Sequence, residues 1–69
     1  MPTVNDALAE MIDALGYTRM ASEARRTRSK AKRRTYARFI VRELRRRKQY
    51  ANATSAEAKF KRLEQLGEL

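Results

Sequence analysis

Residues 19–51 contain neither glycine nor proline, so no local signal stops a helix there. The commonest residues of the chain, Ala, Arg, Leu, Glu and Lys, all favour helix. One Pro and two Gly in 69 residues are too few for the many turns of a small β protein. The sequence therefore predicts an all-α fold, and a chain this short predicts a single small domain over residues 1–69.

Residues 3–15 are predicted to form the first helix. Thr3 and Asp6 have the spacing of a capping box, and Gly16 can adopt the left-handed conformation that ends a helix. We expect the apolar face to be core and part of a dimer seam; a groove for a partner helix is the alternative. Its residues recur at three- and four-residue spacing, and they are Val4, Ala7, Leu8, Met11, Ile12 and Leu15.

A second helix is predicted over residues 18–51, with Thr18 as its cap. Its apolar residues fall on two stripes, offset by roughly 150° around a continuous helix. Either the chain breaks near residues 29–34 and forms two shorter helices, or one long helix buries different faces against different neighbours. We favour the long helix because no breaker is present. The stripes are Met20, Ala24, Thr27 and Ala31, then Tyr36, Ala37, Ile40, Val41, Leu44 and Ala51.

A turn at residues 52–55 and a third helix over residues 55–66 complete the prediction. Thr54 and Glu57 have capping-box spacing, and Gly67 follows the helix. The apolar stripe is Ala56, Phe60, Leu63 and Leu66. We expect two or three helices, arranged as a hairpin or small bundle. Because a chain of this length buries only about 60% of its unfolded surface, we also expect a homodimer.

Positive charge is concentrated in the middle of the chain. The net charge is +9, and residues 19–48 alone hold 14 bases and two acids. Residues 25–34 form a charge run without apolar pattern, whereas residues 34–51 place basic and apolar side chains on opposite faces. Arg34, Arg38, Arg42 and Arg45 lie opposite the apolar stripe. Phe39, Arg46, Tyr50 and Lys32 lie on a shoulder between the two faces.

The residue inventory predicts a protein that is not an enzyme and has no cofactor or metal. The chain lacks Cys and His, and no nucleophile lies beside a base. Asp6, Glu10 and Asp13 share one helix face, which predicts a solvated acidic face able to pair with the basic helix of the same or a neighbouring subunit. No apolar run reaches the ~18 residues that span a bilayer, and no signal peptide is evident. We expect a soluble cytoplasmic protein.

Two partners fit the basic segment. Nucleic acid would be bound through phosphates. A helix-turn-helix across residues 15–17 is one version of this hypothesis, although Ile12 is large for the crossing point. A host regulatory protein with an acidic surface is the other partner, with Phe39 and Tyr50 as anchors. The predicted contact residues for either partner are Arg25, Arg26, Arg28, Lys30, Lys32, Arg33, Arg34, Arg38, Arg42, Arg45 and Arg46.

In size, helicity and charge, the chain resembles small phage early proteins, and in particular the quorum-sensing anti-activators of Mu-like Pseudomonas phages. That resemblance implies a phage-encoded inhibitor that binds a host transcription activator and a pilus assembly ATPase. A second resemblance covers ALAEMIDALGYTRMASEA and TYARFIVRELRRRKQY. These segments are similar to the helical N-terminal segments of transposition-helper ATPases from insertion sequences. With no ATPase domain in this chain, the second resemblance implies DNA or partner binding without ATP hydrolysis.

Overall fold

The computed structural model describes residues 3–69, which form four α-helices and no strand. The helices are α1 (Val4–Ala14), α2 (Thr18–Arg26), α3 (Lys30–Arg46) and α4 (Tyr50–Gln65). The predicted all-α class is confirmed. The prediction of two or three helices is not confirmed, because the favoured long helix does not form. The segment breaks at residues 27–29 into α2 and α3, close to the alternative break predicted near residues 29–34.

The predicted boundaries of α1 are confirmed by its hydrogen bonds. The Thr3 hydroxyl accepts from the Asp6 backbone N–H, and the Asp6 carboxylate accepts from the Thr3 backbone N–H, both at 3.2 Å. At the other end Gly16 has φ +97°, and the Tyr17 N–H donates to the carbonyl of Ile12. This arrangement is a Schellman motif, in which a left-handed residue reverses the chain after the helix.

The break between α2 and α3 is made by side chains that hydrogen-bond to backbone. Thr27 and Ser29 are extended, and the Ser29 N–H donates to the Thr27 hydroxyl. The Ser29 hydroxyl accepts from the Lys32 N–H and caps α3. From the start of α1, the Asn5 amide donates to the carbonyl of Thr27 at 2.6 Å. Such bonds compete with helix, which is why the predicted long helix does not form.

A lysine in the left-handed conformation makes the turn between α3 and α4. Lys48 has φ +62°, its N–H donates to the carbonyl of Arg45, and the Gln49 N–H donates to that of Leu44. This is a second Schellman motif, built without glycine. The turn therefore precedes Tyr50, and the predicted turn at residues 52–55 lies inside α4. The sequence prediction was wrong because lysine gives no turn signal.

Two threonines that were predicted to cap helices do not do so. Thr18 is already inside α2, and the residue before it, Tyr17, makes no side-chain capping bond. Thr54 lies within α4, whose N-cap is Gln49, so no capping box forms with Glu57. The predicted end of the last helix is confirmed: α4 stops at Gln65 and Gly67 follows with φ +80°.

The four helices pack as two antiparallel hairpins, α1–α2 and α3–α4. Asn5 at the start of α1 reaches the end of α2. Arg45 near the end of α3 pairs with Glu57 in the middle of α4, and Arg34 near the start of α3 donates to the backbone oxygen of Leu69, beyond the end of α4. Helix α3 also packs against α1 and α2, so it connects the second hairpin to the first. The buried cluster that results is Leu8, Ala9, Ile12, Leu15, Ala21, Ala24, Ala37, Ile40, Val41, Ala56, Phe60 and Leu69.

The core follows most of the predicted stripes but not their ends. Ala31 and Ala51 are exposed, and Leu66 is 66% exposed because it lies beyond the end of α4. Three alanines outside the predicted stripes, Ala9, Ala21 and Ala53, are buried. Small side chains at these positions let neighbouring helices approach closely.

Candidate functional site

The solvent face of α3 is almost entirely cationic. Nine residues of this 17-residue helix are exposed, and seven of them are basic with no acid among them. We define the basic face of α3 as Lys30, Lys32, Arg34, Arg38, Arg42, Arg45 and Arg46. The other two exposed residues are Ala31 and Thr35. At 1.5 Å per residue, this face runs along about 25 Å of helix.

Only part of this charge is matched inside the protein. Arg45 forms an exposed ion pair with Glu57, Arg46 pairs with Glu43, and an Arg34 N–H donates to the backbone oxygen of Leu69 at 3.3 Å. Arg38 and Arg42 form no ion pair within residues 3–69, and the same is true of Lys30 and Lys32. The centre of the basic face therefore presents uncompensated charge to solvent.

The one acid of α3, Glu43, is buried at the edge of the basic face. Glu43 is 7% exposed, and its carboxylate accepts hydrogen bonds from Arg46, from Arg47 and from the Tyr17 hydroxyl at 3.1 Å. The bond from Arg46 is the largest influence that lowers the pKa of Glu43 to about 2, with smaller ones from Tyr17 and Arg47. Glu43 is therefore a buried anion that holds two arginines, of which Arg46 belongs to the basic face.

Arg47 extends this cluster to the first turn of the chain. Its guanidinium donates to the carbonyl of Leu15 at 2.7 Å and lies 5.9 Å from the centre of the Tyr17 ring. The cluster of Glu43 with Arg46, Arg47 and Tyr17 was not predicted from the sequence. The available signal was that Glu43 is the only acid within the basic segment of residues 25–48.

The charge run of residues 25–34 is spread over α2, the turn between α2 and α3, and the first part of α3. Arg25 pairs with Asp6 of α1 at 3.0 Å, and Arg26 donates to the carbonyl of Ser22. Arg28 is exposed on the turn, whereas Arg33 is half-buried and donates to the backbone oxygen of Glu68. The predicted contact residues thus occupy several surfaces, and only those on α3 form one continuous face.

Asp6 anchors the acidic face of α1 to α2. The backbone N–H of Thr3 is the largest influence lowering the pKa of Asp6, and Arg25 lowers it further. Glu10 and Asp13 are exposed on the same helix and form no ion pair within residues 3–69. The chain therefore carries an acidic surface on α1 and a basic surface on α3.

The two predicted anchors, Phe39 and Tyr50, have different environments. The Phe39 ring is half-buried and packs edge-on against Tyr17, with ring centres 5.1 Å apart at 83°. Tyr50 is the first residue of α4 and is 62% exposed. Phe39 is thus largely engaged within the fold, and Tyr50 is the aromatic side chain open to a partner.

A groove of about 810 Å³ between α3 and α4 borders the basic face. Arg38, Arg42 and Arg45 lie on its α3 side, and Glu57, Lys61 and Glu64 lie on its α4 side. The α4 side of the groove therefore carries both signs of charge, in contrast to the α3 side. On the other side of α3, the basic face is bordered by the Tyr17–Phe39 pair.

Helices α1 and α2 form a hairpin rather than a helix-turn-helix. The Asn5 amide donates to the carbonyls of both Arg25 and Thr27, so the start of α1 lies beside the end of α2. Helices in a helix-turn-helix cross at about 90–120°, which would separate these ends. The predicted helix-turn-helix, in which α2 would be the recognition helix, is therefore not the arrangement observed.

No protein-family model, curated protein or solved structure matches this chain. Among residues 3–69, no helix has the length and apolar character needed to cross a membrane. The same residues contain no acidic cluster suited to a metal ion. The charge and geometry of α3 are the features of the chain that indicate a function.

Proposed function

We propose that this protein binds nucleic acid through the basic face of α3. The observation that carries the proposal is the absence of any acid among the nine exposed residues of α3, together with the burial of Glu43. Arg and Lys that neutralise phosphates release condensed counterions, which makes binding favourable and strongly dependent on salt. Such concentrated charge also opposes folding by self-repulsion, and a polyanion relieves it.

Fluorescence anisotropy with a labelled duplex, repeated between about 50 and 200 mM salt, tests this proposal. The variant Arg38→Ala/Arg42→Ala removes the two cations at the centre of the face. We expect weaker binding and a log–log salt slope reduced by about 2, because each lost phosphate contact lowers the slope by about 0.9. Both positions are exposed, and alanine is a strong helix former, so the fold is kept.

Lys59→Ala/Arg62→Ala is the matched control, because it removes the same charge from exposed positions on α4. We expect this control to keep nearly the wild-type affinity. Equal losses in both variants would show that total charge, and not the face of α3, governs binding. No binding of any nucleic acid at low salt would overturn the proposal.

A second proposal is the capture of a host regulatory protein, which the exposed Tyr50 supports. Aromatic and Arg side chains are common anchors at protein interfaces, and an exposed tyrosine next to basic residues fits that pattern. Pulldown from nuclease-treated bacterial lysate tests it. Tyr50→Ala should abolish capture of the regulator, while Leu66→Ala, which removes another exposed apolar side chain, should not. Capture that disappears with nuclease would instead favour nucleic acid as the partner.

The homodimer and a cytoplasmic location in a bacterial host, with the protein encoded by a phage, stay predictions. Sedimentation equilibrium at two protein concentrations measures the oligomeric state directly. A mass of 8.1 kDa at both concentrations would contradict the dimer.

A further inference from the structure

We infer that the nucleic acid is B-form duplex DNA and that α3 lies in its major groove. This inference rests on the proposed function and names its substrate class. Helix α3 supplies the required dimensions, since an α-helix with side chains is about 10–12 Å across and the major groove of B-DNA is about 12 Å wide. Three features of the basic face then favour this placement over others.

The first feature is the distribution of cations around α3. At about 100° per residue, Arg34 and Arg45 lie on one flank of the exposed face, and Lys32 and Arg46 lie on the other, roughly 130° away. Each flank has one cation near the start of α3 and one near its end. A helix seated in the major groove has a phosphate strand on either side. The four flanking cations have the positions needed to meet both strands. Lys32 forms no ion pair within residues 3–69, and the other three would exchange a partner in the fold for phosphate: Leu69 for Arg34, Glu57 for Arg45 and Glu43 for Arg46.

The second feature is the small size of the residues between the flanks. Ala31 and Thr35 occupy the midline with Arg38 and Arg42, and all four are exposed. The Thr35 hydroxyl donates to the carbonyl of Ala31 at 3.1 Å, which holds this short side chain against the helix. Small residues allow the helix backbone to approach the groove floor. Arg38 and Arg42 are then long enough to reach base edges, where arginine donates to guanine.

The third feature is that no aromatic residue lies on the basic face. Single-stranded nucleic acid is held largely by bases stacked on aromatic rings. Here Tyr17 and Phe39 pack on each other, Phe60 is buried, and Tyr36 is half-buried. The exposed Tyr50 belongs to α4. The face therefore offers charge without a stacking platform, which favours a duplex.

Duplex RNA fits the same face less well. The major groove of A-form RNA is deep and narrow, so protein side chains cannot read it. The cations on the two flanks of α3 would then meet phosphates on one strand at a time. We therefore expect a preference for B-form DNA that charge alone does not give.

The test compares three labelled ligands of the same sequence at one salt concentration: duplex DNA, single-stranded DNA and duplex RNA. We expect duplex DNA to bind about tenfold more tightly than either alternative. Dimethyl sulfate modification of guanine N7, which lies in the major groove, should be reduced in the complex. Unchanged N7 reactivity would overturn placement in the major groove.

Ala31→Trp probes the close approach of the helix, with Ala58→Trp as the matched control on exposed α4. Bulk at position 31 should weaken duplex binding by about tenfold, whereas the control should bind like the wild type. Helical circular dichroism verifies that both variants fold. Equal affinity for all three ligands, with Ala31→Trp unaffected, would overturn the groove inference but leave phosphate binding by α3 intact. No binding to any ligand would overturn both.

Discussion

The Tyr17 hydroxyl donates a hydrogen bond of 3.1 Å to the carboxylate of Glu43, joining the turn after α1 to the last third of α3. Arg47 bonds to the same carboxylate and also to the carbonyl of Leu15 in that turn. One buried acid therefore ties the first hairpin to the second. The position of the basic face relative to α1 and α2 depends on this connection.

Tyr17→Phe should lower the free energy of unfolding by about 1 kcal/mol, the typical net value of one hydrogen bond. The ring of Phe still packs on Phe39 and beneath Arg47, so only the bond to Glu43 is lost. In a domain of this size, the expected fall in Tm is about 4–8 °C. Thermal unfolding followed by circular dichroism measures it. An unchanged Tm would show that the bond contributes nothing to stability.

Acidification should destabilise the protein between about pH 4.5 and pH 2. The folded-state pKa of Glu43 is about 2, below its ordinary value of 4.5. Between these values the unfolded chain binds more protons than the folded chain, so lowering the pH favours unfolding. Stability from this group is fully present above pH 4.5 and is lost as the pH falls towards 2. Urea unfolding at a series of pH values measures the effect.

Glu43→Gln should flatten most of that acid dependence, and it should also lower stability at pH 7. The part that is left includes the contribution of Asp6, whose pKa is lowered as well. Glu10→Gln serves as the matched control, because it removes one exposed acid outside the cluster. An acid profile that is the same in Glu43→Gln and wild type would contradict the assignment to Glu43.

Lys48→Gly should stabilise the protein by about 0.5–1 kcal/mol. Lys48 has φ +62°, a conformation that costs a residue with a side chain roughly 1–2 kcal/mol. Glycine removes that strain, although its greater freedom in the unfolded chain offsets part of the gain. Lys48→Ala removes the same charge but keeps the strain, and it should leave stability nearly unchanged. Equal gains in both variants would assign the effect to charge.

Ser29→Ala should destabilise the protein by about 1 kcal/mol, because it removes the side chain that caps α3. Thr18→Ala is the comparison, since Thr18 is exposed within α2 and is not its N-cap. We expect this second substitution to change stability by less than about 0.5 kcal/mol. Chemical denaturation of the two variants side by side measures the difference. A larger loss from Thr18→Ala would contradict the observed helix boundaries.

The sequence predicts the ends of α1 well because Thr3, Asp6 and Gly16 carry local signals that need no tertiary context. The break at residues 27–29 was predicted only as the less favoured alternative, near residues 29–34, for the opposite reason. It depends on Asn5, which is 22 residues away and donates to the carbonyl that the break exposes. The turn at Lys48 was missed because a residue that rarely adopts the left-handed conformation occupies it.

The basic character of α3 was predictable from spacing alone, since Arg34, Arg38, Arg42 and Arg45 recur on one side of the helix. The packing of the Phe39 ring against Tyr17 was not predictable, because Tyr17 lies in a turn distant in sequence. The same limit applies to Glu43. The position of Glu43 in the sequence predicts where it lies on α3. Only the packing of the turn after α1 against α3 explains the burial of Glu43 and its hydrogen-bond partners.

The arrangement as two consecutive hairpins has a kinetic consequence. Each hairpin joins helices that are neighbours in sequence, so most native contacts form with little loss of chain entropy. Helical proteins with such local contacts fold within microseconds to milliseconds. The longer-range step is docking α1 and its turn on α3, where Tyr17 meets Glu43. We expect rapid refolding, with that docking as the step that completes the native state.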